Sequence, residues 1–247
     1  MKKIWILTLF PEYFLPLKNC GVIGSALSGE RGEVKLELQL VNIRDFSPFT
    51  YKNVDDSPYA GGPGMVMRAD VLKNALFEGV IKAGGYQSIE DLAVIMPMPR
   101  GKKWSTGEAK KFAKEHFFNH KDLVFIAGRY EGVDERFIER YVTEMYSIGD
   151  FILSGGEIAV MALIDSALRF VPGVLGNKES LKEESFEDSL LENPLYTKPL
   201  EFEGLLVPEI LVSGHHEKIQ QYKVEEKIRM TKKYRPDLWE QKVKKND

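Results

Sequence analysis

The chain has 247 residues of which 43% are hydrophobic, enough for one full core plus a small appendage and too apolar for a disordered polypeptide. Lys and Arg number 34 against 37 Asp and Glu, a formal net charge of -3, which excludes a uniformly basic coat and leaves any nucleic-acid partner dependent on a local basic face. The single cysteine, Cys20, excludes an intrachain disulfide framework and fits a reducing cytoplasm, while no apolar run approaches the ~20 residues of a membrane span.

The opening residues 1–10 lack a small-residue cleavage site after their apolar run and read as a first buried strand over 3–9. Further runs rich in Val, Ile, Leu and Phe predict strands at 34–43, 92–96, 123–127 and 141–148. Amphipathic patterns between them predict helices over 69–82, 105–118 and 133–141, with Ser105 and Glu108 spaced as a capping box. Strand alternating with helix argues for an α/β fold: a mostly parallel sheet with helices on both faces. Residues 156–170 are apolar almost all round, so that helix is buried either in the domain or in a subunit interface. Pro172 and Gly173 stop it, giving a domain at 1–172, a flexible linker at 173–199, and a small helical module at 200–247 with helices near 216–232 and 236–244. Cys20 is expected as a small packing residue.

Glycine-rich segments follow several of these apolar runs. They are Gly128-Arg129-Tyr130-Glu131-Gly132, Ser147 to Glu157 with Gly149, Gly155 and Gly156, and Met96-Pro97-Met98-Pro99-Arg100-Gly101. In an open parallel sheet a ligand sits outside the carboxyl ends of the strands, where glycines let main chain come close. Convergence of three such ends predicts a pocket with much backbone and little charge, suited to an adenine ring and a methionine-like tail. The segment Asp55-Asp56-Ser57-Pro58-Tyr59-Ala60-Gly61-Gly62-Pro63-Gly64 lacks the Gly-Lys-Ser/Thr of a P-loop; it serves either as a tight turn or, through its paired carboxylates, in guanine recognition. No nucleophile elbow, dinucleotide fingerprint or structural zinc spacing occurs, and His116, His120, His215 and His216 read as surface or packing residues. Asp165 and Arg169 share a helix face, as an ion pair or with Arg169 turned to an anionic oxygen. Glu183 to Asp188 reads as a solvated acidic stretch, and the bases between Lys218 and Lys245 as a solvated helix surface or a phosphate-binding face.

Together with Leu9-Phe10-Pro11-Glu12, Asn193-Pro194-Leu195-Tyr196-Thr197-Lys198-Pro199 and Ser213-Gly214-His215-His216, these motifs resemble, in order and along nearly the whole chain, the bacterial tRNA (guanine-N1)-methyltransferase family, TrmD. The resemblance implies a SPOUT-class fold with a deep trefoil knot binding S-adenosylmethionine. It places the cofactor at Met98, Pro99, Gly101, Gly128, Tyr130, Glu131, Gly132, Ile148, Gly149, Asp150, Phe151, Ile152, Leu153, Gly155 and Gly156. Substrate contacts are expected at Asp55, Asp56, Tyr59, Gly61 and Gly62, although the family's His-Arg-Thr-like stretch before Val54 reads Tyr51-Lys52-Asn53 here. The family's active-site arginine falls on Arg169, and its catalytic aspartate, before a Ser-Phe pair, falls on Glu184. Also implied are tRNA as partner, methylation of the guanine at position 37, a cytoplasmic homodimer with composite sites, and magnesium dependence with no metal ligand identifiable. The alternatives are another SPOUT RNA methyltransferase or a non-catalytic RNA-binding protein of the same fold.

Overall fold

The structure, a computed structural model, describes residues 1–176 and 180–246. Asn177, Lys178 and Glu179 of the expected linker lie outside the described residues, as does the side chain of Lys245 in the basic cluster. The chain divides into two compact units, Met1–Gly176 and Asn177–Asp247.

The first unit contains β1 (Lys2–Thr8), β2 (Leu36–Asn42), the short β3 (Asp55–Asp56) and β4 (Val66–Met67), β5 (Leu92–Lys103), β6 (Asp122–Ile126) and β7 (Glu144–Ser147). Its helices are α1 (Leu15–Asn19), α2 (Gly21–Leu27), α3 (Ala69–Leu76), α4 (Thr106–His116), α5 (Glu135–Tyr141) and α6 (Glu157–Leu168). Five strands form one parallel sheet in the order β2-β1-β6-β5-β7. Parallel neighbours need crossovers, and these bury both faces of the sheet, which is why the central strands read as continuous apolar runs. The period of two sorts their side chains: Ile4, Ile6, Leu123 and Phe125 pack with α2, α4 and α6 on one face, whereas Trp5, Leu7, Val124 and Ile126 pack with α3 and α5 on the other. The parallel sheet with helices on both faces is thus as expected from the alternation of patterns.

Several local expectations change. β5 does not stop at Met96 but runs twelve residues, pairing with β7 at Ile95 to Pro97 and again at Lys102 to Lys103. Between those pairings residues 98–101 pass across β7, and a Cβ on Gly101 would lie 2.4 Å from Tyr146 N. Tyr141 ends α5 rather than starting a strand. The helix expected over 69–82 is α-helical to Leu76 and then widens into a π turn, Phe77–Lys82, where Gly79 lets Phe46 and Val41 approach. Only half of the capping box forms: Ser105 accepts from Glu108 N at 3.3 Å, but the Glu108 carboxylate pairs with Lys102 Nζ at 2.6 Å. Cys20 is exposed, not a packing residue. His116 is buried against Glu144, with Nε2 3.0 Å from Oε1. Val160, Leu163, Ile164, Ala167 and Leu168 of α6 are buried in the chain's own core; Ile158, Ala162 and Asp165 are exposed.

The second unit holds α7 (Ser180–Glu183), a hairpin of β8 (Glu201–Phe202) and β9 (Leu205–Leu206), α8 (Glu209–Val212), α9 (His216–Tyr234) and α10 (Pro236–Asn246). Glu203 and Gly204 both have positive φ, the geometry that suits a two-residue hairpin turn. The segment after α7 is tied to α9 by Thr231, whose buried hydroxyl accepts from Leu191 N at 2.8 Å and donates to Lys227 O at 2.7 Å.

Candidate functional site

Residues 96–100 of β5, the segments after β6 and β7 and the start of α6 line a cavity of about 450 Å³. All of the expected cofactor residues line it except Gly101 and Asp150. Gly101 is used instead for the crossing over β7, and Asp150 is an exposed residue off the wall. Met96, Met98, Ile138, Ile148, Phe151 and Ala159 supply apolar surface, and the turns supply main-chain polar groups. A Cβ on Gly132, which has φ 137°, would meet no protein atom, so glycine there leaves cavity space open and permits a conformation other residues rarely adopt. The cradle combines main-chain groups and apolar side chains with two charges of each sign, Arg100, Arg129, Glu131 and Glu135, a lining that suits a ligand with both apolar and polar parts.

The wall after β6 is tied to the segment that follows the expected substrate loop. Glu131 N donates to Met65 O at 3.0 Å, Met67 N to Gly132 O at 2.8 Å, and Asp134 N to Met67 O at 3.0 Å. Gly64 lies against the Glu131 side chain, so closely that a Cβ would come within 2.3 Å of Cγ. Tyr130 stands in the left-handed region at φ 59°. Burial, then the neighbouring Asp55 carboxylate, raises its phenol above the ordinary value, while Arg44 opposes them. Asp55 is therefore brought to the cavity's wall, through Tyr130. Asp56 instead pairs with Arg68 at 2.7 Å, and Tyr59, 94% exposed, and Asp56 border a separate groove shared with α3 and α5. Gly61 and Gly62 form an exposed positive-φ turn and line neither hollow.

Neither expected catalytic residue lines the cavity. Arg169 follows α6 as its C-terminal cap in the first unit. Glu184 lies just after α7 in the second, half-buried. The acidic stretch around it is not simply solvated: Glu183 pairs with Lys223 at 3.2 Å and Asp188 with Lys227 at 3.3 Å, while Lys242 Nζ donates to Asp188 O at 2.9 Å. Arg229 pairs with Glu226 at 2.6 Å, and Lys232 lies over Trp239 at 4.4 Å. Much of the supposed phosphate-binding face is thus used within its own unit. Among the described residues no three His, Cys, Asp or Glu side chains gather where a metal ion could be held.

Sequence reading missed the charged anchor of the cavity. Arg129, in the wall, reaches the buried Glu157 at the start of α6, with Nε 2.9 Å from Oε2. The available signals were a charged residue inside a glycine-rich turn and an acid on an otherwise apolar helix.

Parallel α/β topology with a cradle beyond its strands is the arrangement in which open α/β proteins bind ligands. The family described as tRNA (Guanine-1)-methyltransferase TrmD matches residues 1–241, and the chain belongs to that family, whose fold is the SPOUT arrangement. It is 45% identical over 246 residues to a tRNA (guanine-N(1)-)-methyltransferase of Clostridium perfringens, covering 99% of this chain and 97% of that one. Proteins of the same description from Lachnospira eligens and Clostridioides difficile are 44% and 43% identical, covering 98% and 95% of this chain and 96% of each relative.

Proposed function

We propose that this protein transfers the methyl group of S-adenosylmethionine to N1 of the guanine at position 37 of tRNA, next to the anticodon, in the cytoplasm. The observation that carries this reading is the convergence of the glycine-rich segments after β6 and β7 with Met96 to Arg100 of β5 on one cavity, in a chain of this family. When bound, the cofactor supplies an electrophilic methyl group on a sulfonium sulfur. Gly128, Tyr130, Gly132, Gly155, Gly156, Met98 and Ile148, which line the cavity, would hold it. We read the fold as holding the trefoil knot of the SPOUT class, as its family implies.

The chain's own tasks are to orient guanine, take the N1 proton and stabilise charge appearing on O6. Asp55, held beside Tyr130, accepts from the guanine edge; Glu184 takes the proton; Arg169 faces the oxygen. A carboxylate is a weak base for a weakly acidic proton, so orientation with charge stabilisation must lower much of the barrier. We read the assembly as a homodimer in which one chain holds the cofactor and its partner brings Glu184. The exposed Ile158 and Ala162 on α6 support a protein partner on that face.

The test is Glu184→Gln, which should lower single-turnover methylation by about two to four orders of magnitude while leaving cofactor affinity intact. Near-normal turnover in that variant, with loss in Glu183→Gln, would move the base to Glu183.

A further inference from the structure

The proposed proton transfer does not use the Arg129 and Glu157 pair, which among the described residues is the most buried ion pair at the cavity. Glu157 is 1% exposed and the Arg129 side chain 15%. Oε1 of Glu157 accepts from Arg129 Nε at 3.1 Å and from Thr8 Oγ1 at 3.0 Å; Thr8 Oγ1 in turn accepts from Phe10 N at 3.0 Å. The guanidinium lies over the Phe10 ring at 4.6 Å and the Tyr13 ring at 5.5 Å, and Nη1 donates to Ser154 O at 3.2 Å. Gly155 passes so near that a Cβ would fall 2.2 Å from Arg129 Nε. One guanidinium therefore joins the end of β1, the turn after β6 and the segment after β7.

Resting on the reading of the cavity as the cofactor site, we propose that Glu157 is a positioning residue: through Arg129 it fixes the 148–156 wall in the shape that receives the cofactor. A buried carboxylate is costly to retain unless its geometry serves the fold or the site, and removing one partner leaves the other charge uncompensated. A planar fork bridging two acceptors is something Arg provides and Lys does not. Binding walls held loosely lose affinity before the chemical step is affected.

The test compares wild type, Glu157→Gln and Arg129→Lys by calorimetric titration with S-adenosylmethionine, steady-state kinetics and thermal unfolding. Both variants should raise the cofactor KM and dissociation constant by about tenfold or more, with kcat within about threefold and the KM for tRNA unchanged. Wild-type cofactor affinity in both folded variants, or a fall in kcat alone, would overturn the positioning role. Unfolding of both would assign the pair to core stability and overturn it equally. If Glu157→Gln alone fails to fold, Arg129→Lys decides, since it keeps the charge beside Glu157 and loses the bridge. Wild type itself gaining no hydrogen-exchange protection at 148–156 on cofactor addition would instead refute the cavity assignment beneath it.

Discussion

Replacing Gly156 by Ala puts one methyl group where the structure has no room for it. The sequence suggests that this glycine lets main chain approach a ligand; in the structure it lets main chain approach main chain. An added Cβ would lie 2.8 Å from Gly128 N and 3.0 Å from Ala127 Cα, against ordinary contacts of about 3.5–4.0 Å. Relief requires the start of α6 to withdraw by roughly half an ångström or more, which stretches the hydrogen bond from Gly156 N to Gly128 O, now 2.7 Å. Overpacking costs about 1–3 kcal/mol and the weakened hydrogen bond up to about 1 kcal/mol, together about 1–4 kcal/mol. At about 2–4 °C per kcal/mol for a unit of this size, Tm should fall by about 2–16 °C. Because Gly128 and Gly156 both line the cavity, S-adenosylmethionine affinity should fall at least about tenfold, equivalent to about 1.4 kcal/mol. Differential scanning fluorimetry and calorimetric titration read the two effects. Gly107→Ala is the control: it lies in the first turn of α4, its added Cβ would meet only Ser105 Oγ at 3.9 Å, and stability should hold or rise by up to ~1 kcal/mol. A Gly156→Ala protein with parental Tm and parental cofactor affinity would refute the reasoning.

Charge reversal at Lys218, Lys233 and Lys244, exposed on α9 and α10, should weaken tRNA binding and reduce its salt slope by about one unit for each phosphate no longer neutralised, without moving cofactor affinity. An unchanged slope in filter-binding titrations would remove these lysines from the RNA surface. Lys227→Glu should lower Tm as well, because it sets a second anion against Asp188, and an unaltered melting curve would contradict that. On β7, burial alone would raise the Glu144 carboxyl, but hydrogen bonds from His116 and Tyr146 outweigh it and hold it below the ordinary value. A depressed folded value contributes stability above the unfolded value of about 4.3, lost as pH falls through the folded one. Glu144→Gln should therefore cost Tm at neutral pH and progressively less in acid below about pH 4, and a pH-independent difference would exclude this origin.

The parallel sheet was legible because buried strands leave continuous apolar runs and their helices leave amphipathic ones. β5 was cut short because Pro97, Pro99 and Gly101 signal a loop, whereas here they lie in a strand that leaves and rejoins β7, a path no local pattern encodes. Short α1 and α2 escaped because five and seven residues carry too few turns to show a period. Most of the cavity wall was readable from its glycines, since main-chain approach leaves a compositional trace. Tyr146, Ile138 and Ala159 were not, because each lies in a regular element and reaches the cavity only through tertiary packing. The ion pairs of α9 were not legible for a related reason: Lys223 and Lys227 look free in a linear reading, and their partners Glu183 and Asp188 stand some forty residues away.

Methyl transfer to one atom of one base is decided by mass spectrometry of nuclease-digested tRNA, after incubation with the protein and methyl-labelled S-adenosylmethionine. The expected result is one labelled methyl group per tRNA, on N1 of the guanine at position 37, and none when that guanine is replaced by adenine. Label on another base or another atom would make the protein a different RNA methyltransferase, and tRNA bound together with cofactor but left unlabelled would make it a binding protein.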